Sequence, residues 1–270
     1  MIGIIGGSGF YEFFEKVPKE ARAFLSREEK IDTPFGPPSS KIAIGEIFGR
    51  KVAFLPRHNP THDLPPVRIP YKANIWALKT LGVGQILALN ASGSLQKNIK
   101  PGTVVILDQF IDRTRHRDDT YFIGPNTTHI SSAYPFCPQI GALAYKTAKD
   151  LKIPVKNGGT VVVVEGPRFS TAAESIWFTK MDWDVINMTI YPEIVLAREQ
   201  ELCYTSIALI VDYDAGVVAM EKINPVSAEM VIRTVKENQG KAMQLVFAML
   251  KNWPKQRTCD CDKVLEGARF

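Results

Sequence analysis

The 270-residue sequence predicts one α/β domain, in which helices flank a largely parallel β-sheet. Three observations support this class. Apolar runs typical of strands alternate with helical patterns along the chain, without a repeat, linker or low-complexity block. Most of these runs are apolar without alternation, as expected for strands that are covered on both faces. The composition is 45% hydrophobic, which is enough for one large core.

The sequence predicts eight strands and five helices. The first strand is an apolar run that breaks into glycines ("IGIIGGSGF"), and later runs resemble it. The predicted strands are residues 3–5, 41–47, 51–55, 84–89, 103–107, 160–164, 184–188 and 206–211. Helical patterns cover residues 71–81, 139–151, 171–181, 192–201 and 225–250. We assign residues 1–252 to the domain and residues 253–270 to a polar C-terminal tail with a C-x-C motif.

Charge and hydrophobicity argue against several classes of protein. The net charge is +5, and the basic residues are scattered, so no stripe for nucleic acid is predicted. The same charge suits a small anionic substrate. No segment approaches the roughly 20 apolar residues of a membrane span. Glycines from position 3 onwards argue against a secretory leader. We therefore expect a cytoplasmic protein without a membrane or nucleic-acid partner.

Six of the predicted strands end in polar or glycine-rich segments. Ligands of such folds bind beyond the carboxyl ends of the strands, so these ends are candidate site segments. They contain Ser8, Arg57 with His58, Asn90 to Ser94, Glu165 to Ser170, Asn187 to Thr189, and Asp212 with Asp214. We expect these segments to meet at one edge of the sheet.

The opening glycine loop fits a single phosphate better than a nucleotide. A dinucleotide fingerprint needs a third glycine where Glu12 stands, and Pro18 interrupts the helix that should follow. The chain also contains no P-loop motif. The remaining turn offers backbone N–H groups and the Ser8 hydroxyl, which suits one phosphate. The alternative is an ordinary tight turn after a strand.

Arg57 and His58 add positive charge beside this loop. Arginine binds tetrahedral oxyanions well because its guanidinium presents a fork of N–H donors. The alternative for Arg57 is an ion pair at the edge of the core. His58 and His62 have the i, i+4 spacing of metal ligands on a helix, but Pro60 lies between them. We therefore predict no metal site here.

Asp212 and Asp214 directly follow an apolar strand and suit a nitrogen heterocycle. A carboxylic acid can protonate a ring nitrogen, and a carboxylate can accept a hydrogen bond from an exocyclic amine. Phe169 offers a surface on which such a ring could stack. The alternatives are two carboxylates that cap the next turn and a phenylalanine of the core.

Many of these segments together resemble the trimeric purine nucleoside phosphorylase family, and its 5′-methylthioadenosine phosphorylase branch most closely. The resemblance covers residues 2 to 250 and includes "FLPRH", "LNASGSL", "EGPRFST", "NMT" with "PE" after it, and "VDYDAG". It implies a mixed, partly barrel-like sheet and a homotrimer, sometimes paired into a hexamer. The implied reaction is phosphorolysis of an N-glycosidic bond, giving adenine and 5-methylthioribose 1-phosphate. Phosphate is the co-substrate, and neither cofactor nor metal is implied.

The same resemblance assigns roles to individual residues. The residues assigned to phosphate are Ser8, Arg57, His58, Ala91 and Thr189. Met188 is assigned to the ribose, Phe169 to the base, Asp212 to the proton at purine N7 and Asp214 to the 6-amino group. His129 is assigned to the 5′ group in a neighbouring subunit, and Val231 to the methylthio pocket. Asn90 is a departure, because many members of the branch have Thr or Ser there.

Several alternatives remain open from sequence. Asp212 favours an aminopurine, since Asn at this position would indicate inosine or guanosine. Acceptance of adenosine or inosine, a nucleosidase that uses water, a regulatory module without catalysis and an NAD enzyme are the rival interpretations. The cysteines resemble those of thermophilic archaeal members, and this resemblance predicts disulfides between Cys137 and Cys203 and between Cys259 and Cys261.

Overall fold

The structure is a computed structural model that describes residues 1–7, 10, 13–21, 24–221 and 228–269. Of residues 228, 230–232 and 235 it describes the backbone alone. Within these ranges no helix is long and apolar enough to cross a membrane. The elements below are numbered in chain order.

One mixed sheet forms the centre of the described chain. Its strands are β1 (Ile2–Gly6), β2 (Phe24–Glu29), β3 (Ile42–Ile47), β4 (Arg50–Pro56), β5 (Gln85–Ser94), β6 (Val104–Ile106), β7 (Gln109–Arg113), β8 (Val155–Asn157), β9 (Thr160–Val164), β10 (Val185–Asn187) and β11 (Cys203–Tyr213). The helices are α1 (Tyr71–Thr80), α2 (Pro138–Asp150), α3 (Ala172–Lys180), α4 (Ile190–Glu199), α5 (Ala215–Glu221) and α6 (Ala228–Lys251). The single α/β domain with a mixed sheet confirms the predicted fold class.

Strand β5 is the branch point of the sheet. One path runs β2-β3-β4-β1-β5-β10-β9-β7, and β11 pairs with the other edge of β5 and leads to β6 and β8. The pairs β4–β1, β1–β5 and β5–β11 are parallel, so their carboxyl ends meet at one edge. The pairs β5–β10 and β6–β11 are antiparallel. The central parallel strands thus place their polar ends together.

Both faces of the central strands are covered. Every residue of β1 and the first nine residues of β11 are buried. Helices α2 and α6 pack on one face, where Ile140 and Leu245 join the core. Helices α1 and α4 cover the other face with Ile75 and Ile194. Burial on both faces explains why these strands are apolar without alternation.

The C-terminal tail packs against the start of the central strands. Trp253 is buried, and its indole N–H donates to Gln85 Oε1 over 2.7 Å. Arg257 donates to the Gly84 carbonyl over 2.8 Å. Ala268 is buried further along, and its carbonyl accepts from the backbone N–H of His129. The tail is therefore fastened to the edge of the sheet opposite the carboxyl ends of β1, β5 and β11.

Candidate active site

The carboxyl ends of the central strands enclose one cleft of about 410 Å³. This volume lies within the usual range of small-molecule sites. Nine of the predicted site residues line it: Arg57, His58, Asn90, Ala91, Phe169, Met188, Thr189, Asp212 and Asp214. Ser8 lies outside the described residues, although its neighbour Gly7 lines the cleft, and the side chain of Val231 also lies outside them. His129 is exposed and is not among the residues lining this cleft.

Arg57 is fully buried at the end of β4, where it forms an ion pair. Its Nε donates to Glu193 over 2.7 Å, and its Nη2 donates to the other carboxylate oxygen over 2.9 Å. Nη1 donates to the Leu89 carbonyl over 3.1 Å. Sequence alone left open whether Arg57 binds phosphate or forms an ion pair. The structure contains the ion pair and places it at the wall of the cleft.

His58 is neutral near pH 7 because of its surroundings. Burial lowers the pKa of His58 to about 4, and the charge of Arg57 acts in the same direction. Its Nδ1 lies 2.8 Å from the Leu64 carbonyl oxygen, which can only accept, so Nδ1 carries the proton. Nε2 is therefore a hydrogen-bond acceptor. The ring stacks on that of His62, with 4.6 Å between centroids.

Thr189 is held by two asparagine side chains. Asn187 Oδ1 accepts from the backbone N–H groups of Thr189 and Ile190 over 2.6 and 3.0 Å, at the start of α4. The Thr189 hydroxyl donates to Asn90 Oδ1 over 3.2 Å, and the Asn90 amide donates to Ser206 over 2.8 Å. These bonds fix the hydroxyl at the floor of the cleft. Sequence reasoning did not give Asn187 this role.

Asp212 and Asp214 form the opposite end of the cleft. Burial, with a contribution from the Asp214 charge, raises the pKa of Asp212 to about 7. Burial also raises the pKa of Asp214. The Oδ2 atom of Asp214 and the hydroxyls of Ser170 and Ser175 are buried. The two hydroxyls face Asp214 and act against this rise in its pKa.

Met188 and Phe169 provide apolar surface between these two ends. The Phe169 side chain is 48% exposed, so it is not a core residue and can receive a ring. Met188 packs against Gly166, where a Cβ atom would lie 2.6 Å from the methionine sulfur. Gly166 also has a positive φ of 67°. Both facts favour glycine at this position.

Two residues that support the cleft were missed by sequence reasoning. Glu193 holds Arg57 and also accepts from the Tyr204 hydroxyl over 2.7 Å. Arg117 donates to the carbonyl oxygens of Met188 and Glu165 over 2.9 and 2.8 Å. Glu193 lies in the quoted segment "PE", but its partner is 136 residues away. Neither residue stands at a strand end, which was the signal that found the others.

The predicted disulfides are not formed in the structure, which contains four free thiols. The Cys259 sulfur lies 3.6 Å from that of Cys137 and 3.4 Å from that of Cys203. A disulfide bond is about 2.05 Å long. The predicted Cys137–Cys203 and Cys259–Cys261 disulfides are therefore not shown, and the four sulfurs form a single cluster.

Comparison with known proteins defines the class. Residues 1–251 match the phosphorylase superfamily, and the chain belongs to it. Its S-methyl-5′-thioadenosine phosphorylase relative from Pyrococcus horikoshii is 49% identical over 98% of this chain and 97% of its own. A purine nucleoside phosphorylase from Streptomyces coelicolor is 46% identical over 98% and 94%. Methylthioadenosine phosphorylase from Schistosoma mansoni, solved with adenine, superposes with a TM-score of 0.90 at 31% identity, covering 99% of this chain and 98% of that one.

Proposed function

We propose that this protein is an enzyme that cleaves S-methyl-5′-thioadenosine with inorganic phosphate. The products are adenine and 5-methylthioribose 1-phosphate, so the enzyme is a pentosyltransferase. One observation carries the proposal: the same cleft is lined by Arg57 and Thr189, which form a wall with hydrogen-bond donors, and by a carboxyl pair, Asp212 and Asp214. In this proposal the nucleoside lies between these two groups of residues, with its sugar over the phosphate. We propose that neither a cofactor nor a metal takes part in the chemistry.

Phosphate recognition in this proposal rests mainly on hydrogen bonds. Glu193 already balances the Arg57 charge, and His58 is neutral. The proposed donors are the Ala91 backbone, the guanidinium N–H groups of Arg57 that Glu193 and Leu89 do not use, and Ser8, which lies outside the described residues. The Thr189 hydroxyl joins them by turning from Asn90 towards the phosphate. The Nε2 atom of His58 can accept the proton of a monoprotonated phosphate. The site thereby orients one phosphate oxygen towards the sugar.

The carboxyl pair serves the departing base. A pKa of about 7 keeps a large fraction of Asp212 protonated at neutral pH, so it can donate to purine N7 as that nitrogen becomes basic. Asp214 lies beside it and can accept from the 6-amino group. Loss of the base leaves an oxocarbenium-like sugar, so catalysis consists of placing phosphate below the sugar and neutralising the base. Met188 and Phe169 hold the ribose and the purine between the two ends.

The 5′ end of the substrate and the assembly state are part of the same proposal. We assign the methylthio group to a pocket formed with Val231 of α6. His129 is exposed and does not line its own cleft, which suits a role in closing the cleft of a neighbouring subunit. This role requires an oligomer, and we propose a homotrimer or a hexamer of two trimers in the cytoplasm. Light scattering gives its mass, and His129→Ala should raise the KM for the nucleoside but leave the KM for phosphate unchanged.

A broader purine nucleoside phosphorylase activity is the second candidate, because the Streptomyces coelicolor relative has that name. Asp212 favours aminopurines over 6-oxopurines, since a protonated carboxyl and a carboxylate suit N7 and a 6-amino group. A nucleosidase that uses water is the third candidate.

Chromatography of the released base separates the three candidates. Methylthioadenosine, adenosine and inosine are each incubated with and without phosphate. We expect phosphate-dependent adenine release that is fastest with methylthioadenosine. Fastest cleavage of inosine would overturn the assignment of Asp212. Base release that does not depend on phosphate would overturn the phosphorolytic reaction.

A further inference from the structure

The four cysteines come from three distant parts of the chain and meet in one place. Cys137 precedes α2, Cys203 begins β11, and Cys259 and Cys261 lie in the C-terminal tail. Their sulfurs all lie within 4.8 Å of one another. We call these four residues the cysteine cluster. In sequence, two isolated cysteines and a C-x-C do not have a zinc-finger spacing, but the fold brings them together.

The spacing of the sulfurs suits a metal ion better than a disulfide. Zinc binds thiolates at about 2.3 Å, which places the sulfurs of a tetrahedral four-cysteine site about 3.8 Å apart. The sulfur of Cys259 lies 3.6 Å from that of Cys137 and 3.4 Å from that of Cys203. Small outward shifts of these side chains produce the tetrahedron. Four thiolates in a tetrahedron are a ligand set typical of zinc.

The cysteine cluster lies beside the start of a helix and two guanidinium groups. Cys137 is the N-cap residue of α2, although its sulfur accepts no capping hydrogen bond. The positive end of a helix dipole stabilises negative charge in this position. Arg257 interacts electrostatically with three of the cysteines, and Arg198 interacts with Cys261. These two guanidinium groups offset the double negative charge of zinc bound by four thiolates.

A route to the cysteine cluster is also present. A second cavity of about 630 Å³ is lined by Cys137, Cys261 and Arg198, among other residues. An entry path is one of the requirements of a metal site.

We propose that the cysteine cluster binds one zinc ion, which fastens the C-terminal tail to α2 and β11. The ion is structural, because four protein ligands leave no open position for a substrate. Its place is remote from the cleft: Cys203 and Asp212 are nine residues apart on β11, or about 30 Å at 3.3 Å per residue. Zinc binding adds its free energy to the stability of the fold.

The first test measures metal and thiol state in the wild-type protein. The full chain is expressed with added zinc, purified without chelator under reducing conditions and analysed by mass spectrometry for metals. We expect about one zinc per chain. Less than about 0.1 zinc per chain after incubation with zinc chloride would overturn the proposal. One bound iron in place of zinc, or disulfides found by non-reducing peptide mapping of the zinc-incubated protein, would also overturn it.

The second test compares matched variants. The double variant Cys259→Ser with Cys261→Ser should lose the zinc and melt about 10 °C lower or more. Its turnover at ambient temperature should stay within about twofold of the wild type, because the cleft is distant. Thr258→Ser, a conservative change in the same segment, should keep both zinc and melting temperature. Retention of zinc by the double variant would contradict the assigned ligands. If the double variant does not fold, the metal content of the wild type still decides.

Discussion

Asp212 offers the most quantitative test of the site, because its burial affects stability and catalysis in opposite ways. Its pKa is raised from an ordinary value of 3.8 to about 7, chiefly by burial and also by Asp214. The folded state therefore holds the Asp212 proton more tightly than the unfolded state. Ionising this carboxyl in the folded protein costs up to about 4 kcal/mol, at about 1.4 kcal/mol per pKa unit.

The sign of the pH dependence follows from the two pKa values. Below pH 3.8 the carboxyl is protonated in both states and costs nothing. Between pH 3.8 and the folded-state pKa of about 7, the unfolded protein ionises this carboxyl more readily than the folded protein, so the free energy of unfolding falls as the pH rises. Above about pH 7 the carboxyl is ionised in both states, and the free energy of unfolding falls no further on its account. An asparagine at this position has the same shape and does not titrate. The stability advantage of Asp212→Asn over the wild type should therefore grow by about 3 kcal/mol as the pH rises from about 5 to about 8.

Urea denaturation at four pH values from 5 to 8 measures this gain. Asp32→Asn, the same substitution at an exposed aspartate, is the matched control. A stability difference between Asp212→Asn and the wild type that is the same at pH 5 and pH 8 would refute the buried, protonated carboxyl. In the same variant, turnover of methylthioadenosine should fall by about 100-fold or more, because a general acid is lost. Wild-type turnover should decline above about pH 7, where the acid form disappears.

Three other changes test the supports of the cleft. Glu193→Ala leaves Arg57 buried without its partner and should cost about 3–5 kcal/mol in urea denaturation; a loss below about 1 kcal/mol would contradict the buried pair. Thr189→Val should raise the KM for phosphate about tenfold or more, with little change in the KM for nucleoside, and an equal rise in both would contradict its role. Gly166→Ala meets the Met188 sulfur at 2.6 Å with φ of 67°, so calorimetry should find a lower melting temperature and kinetics a higher KM for nucleoside; an unchanged variant would contradict the close approach.

The fold was predictable where the pattern of the sequence reflects burial. All eight predicted strands and all five predicted helices are present, although residues 225–227 of the last helix lie outside the described residues. Strand β2 was missed because three of its six residues ("FLSREE") are charged and five are exposed, at the edge of the sheet. Strand β8 has only three residues, and α5 follows β11 without a turn signal. These elements are set by tertiary pairing and not by local pattern.

The site was predictable to the extent that one rule of parallel sheets applies. Ligands bind at the carboxyl ends of the strands, and this rule placed nine of the named residues in one cleft. It could not reveal which distant residue holds each of them. In the sequence Glu193 cannot be distinguished from an ordinary helical carboxylate, and only the fold shows that it contacts Arg57. The clustering of the four cysteines likewise depends on the packing of the tail against β11 and α2.

Phosphorus NMR of the reaction mixture tests the central claim most directly, because it identifies what becomes of the sugar. The enzyme is incubated with methylthioadenosine and inorganic phosphate, and adenine is measured in parallel by absorbance. We predict a new sugar 1-phosphate signal that grows in equal amount to adenine while the inorganic phosphate signal declines. Release of adenine without a new phosphorus signal would show that water attacks the sugar and would contradict the phosphate-binding role of the wall around Arg57 and Thr189.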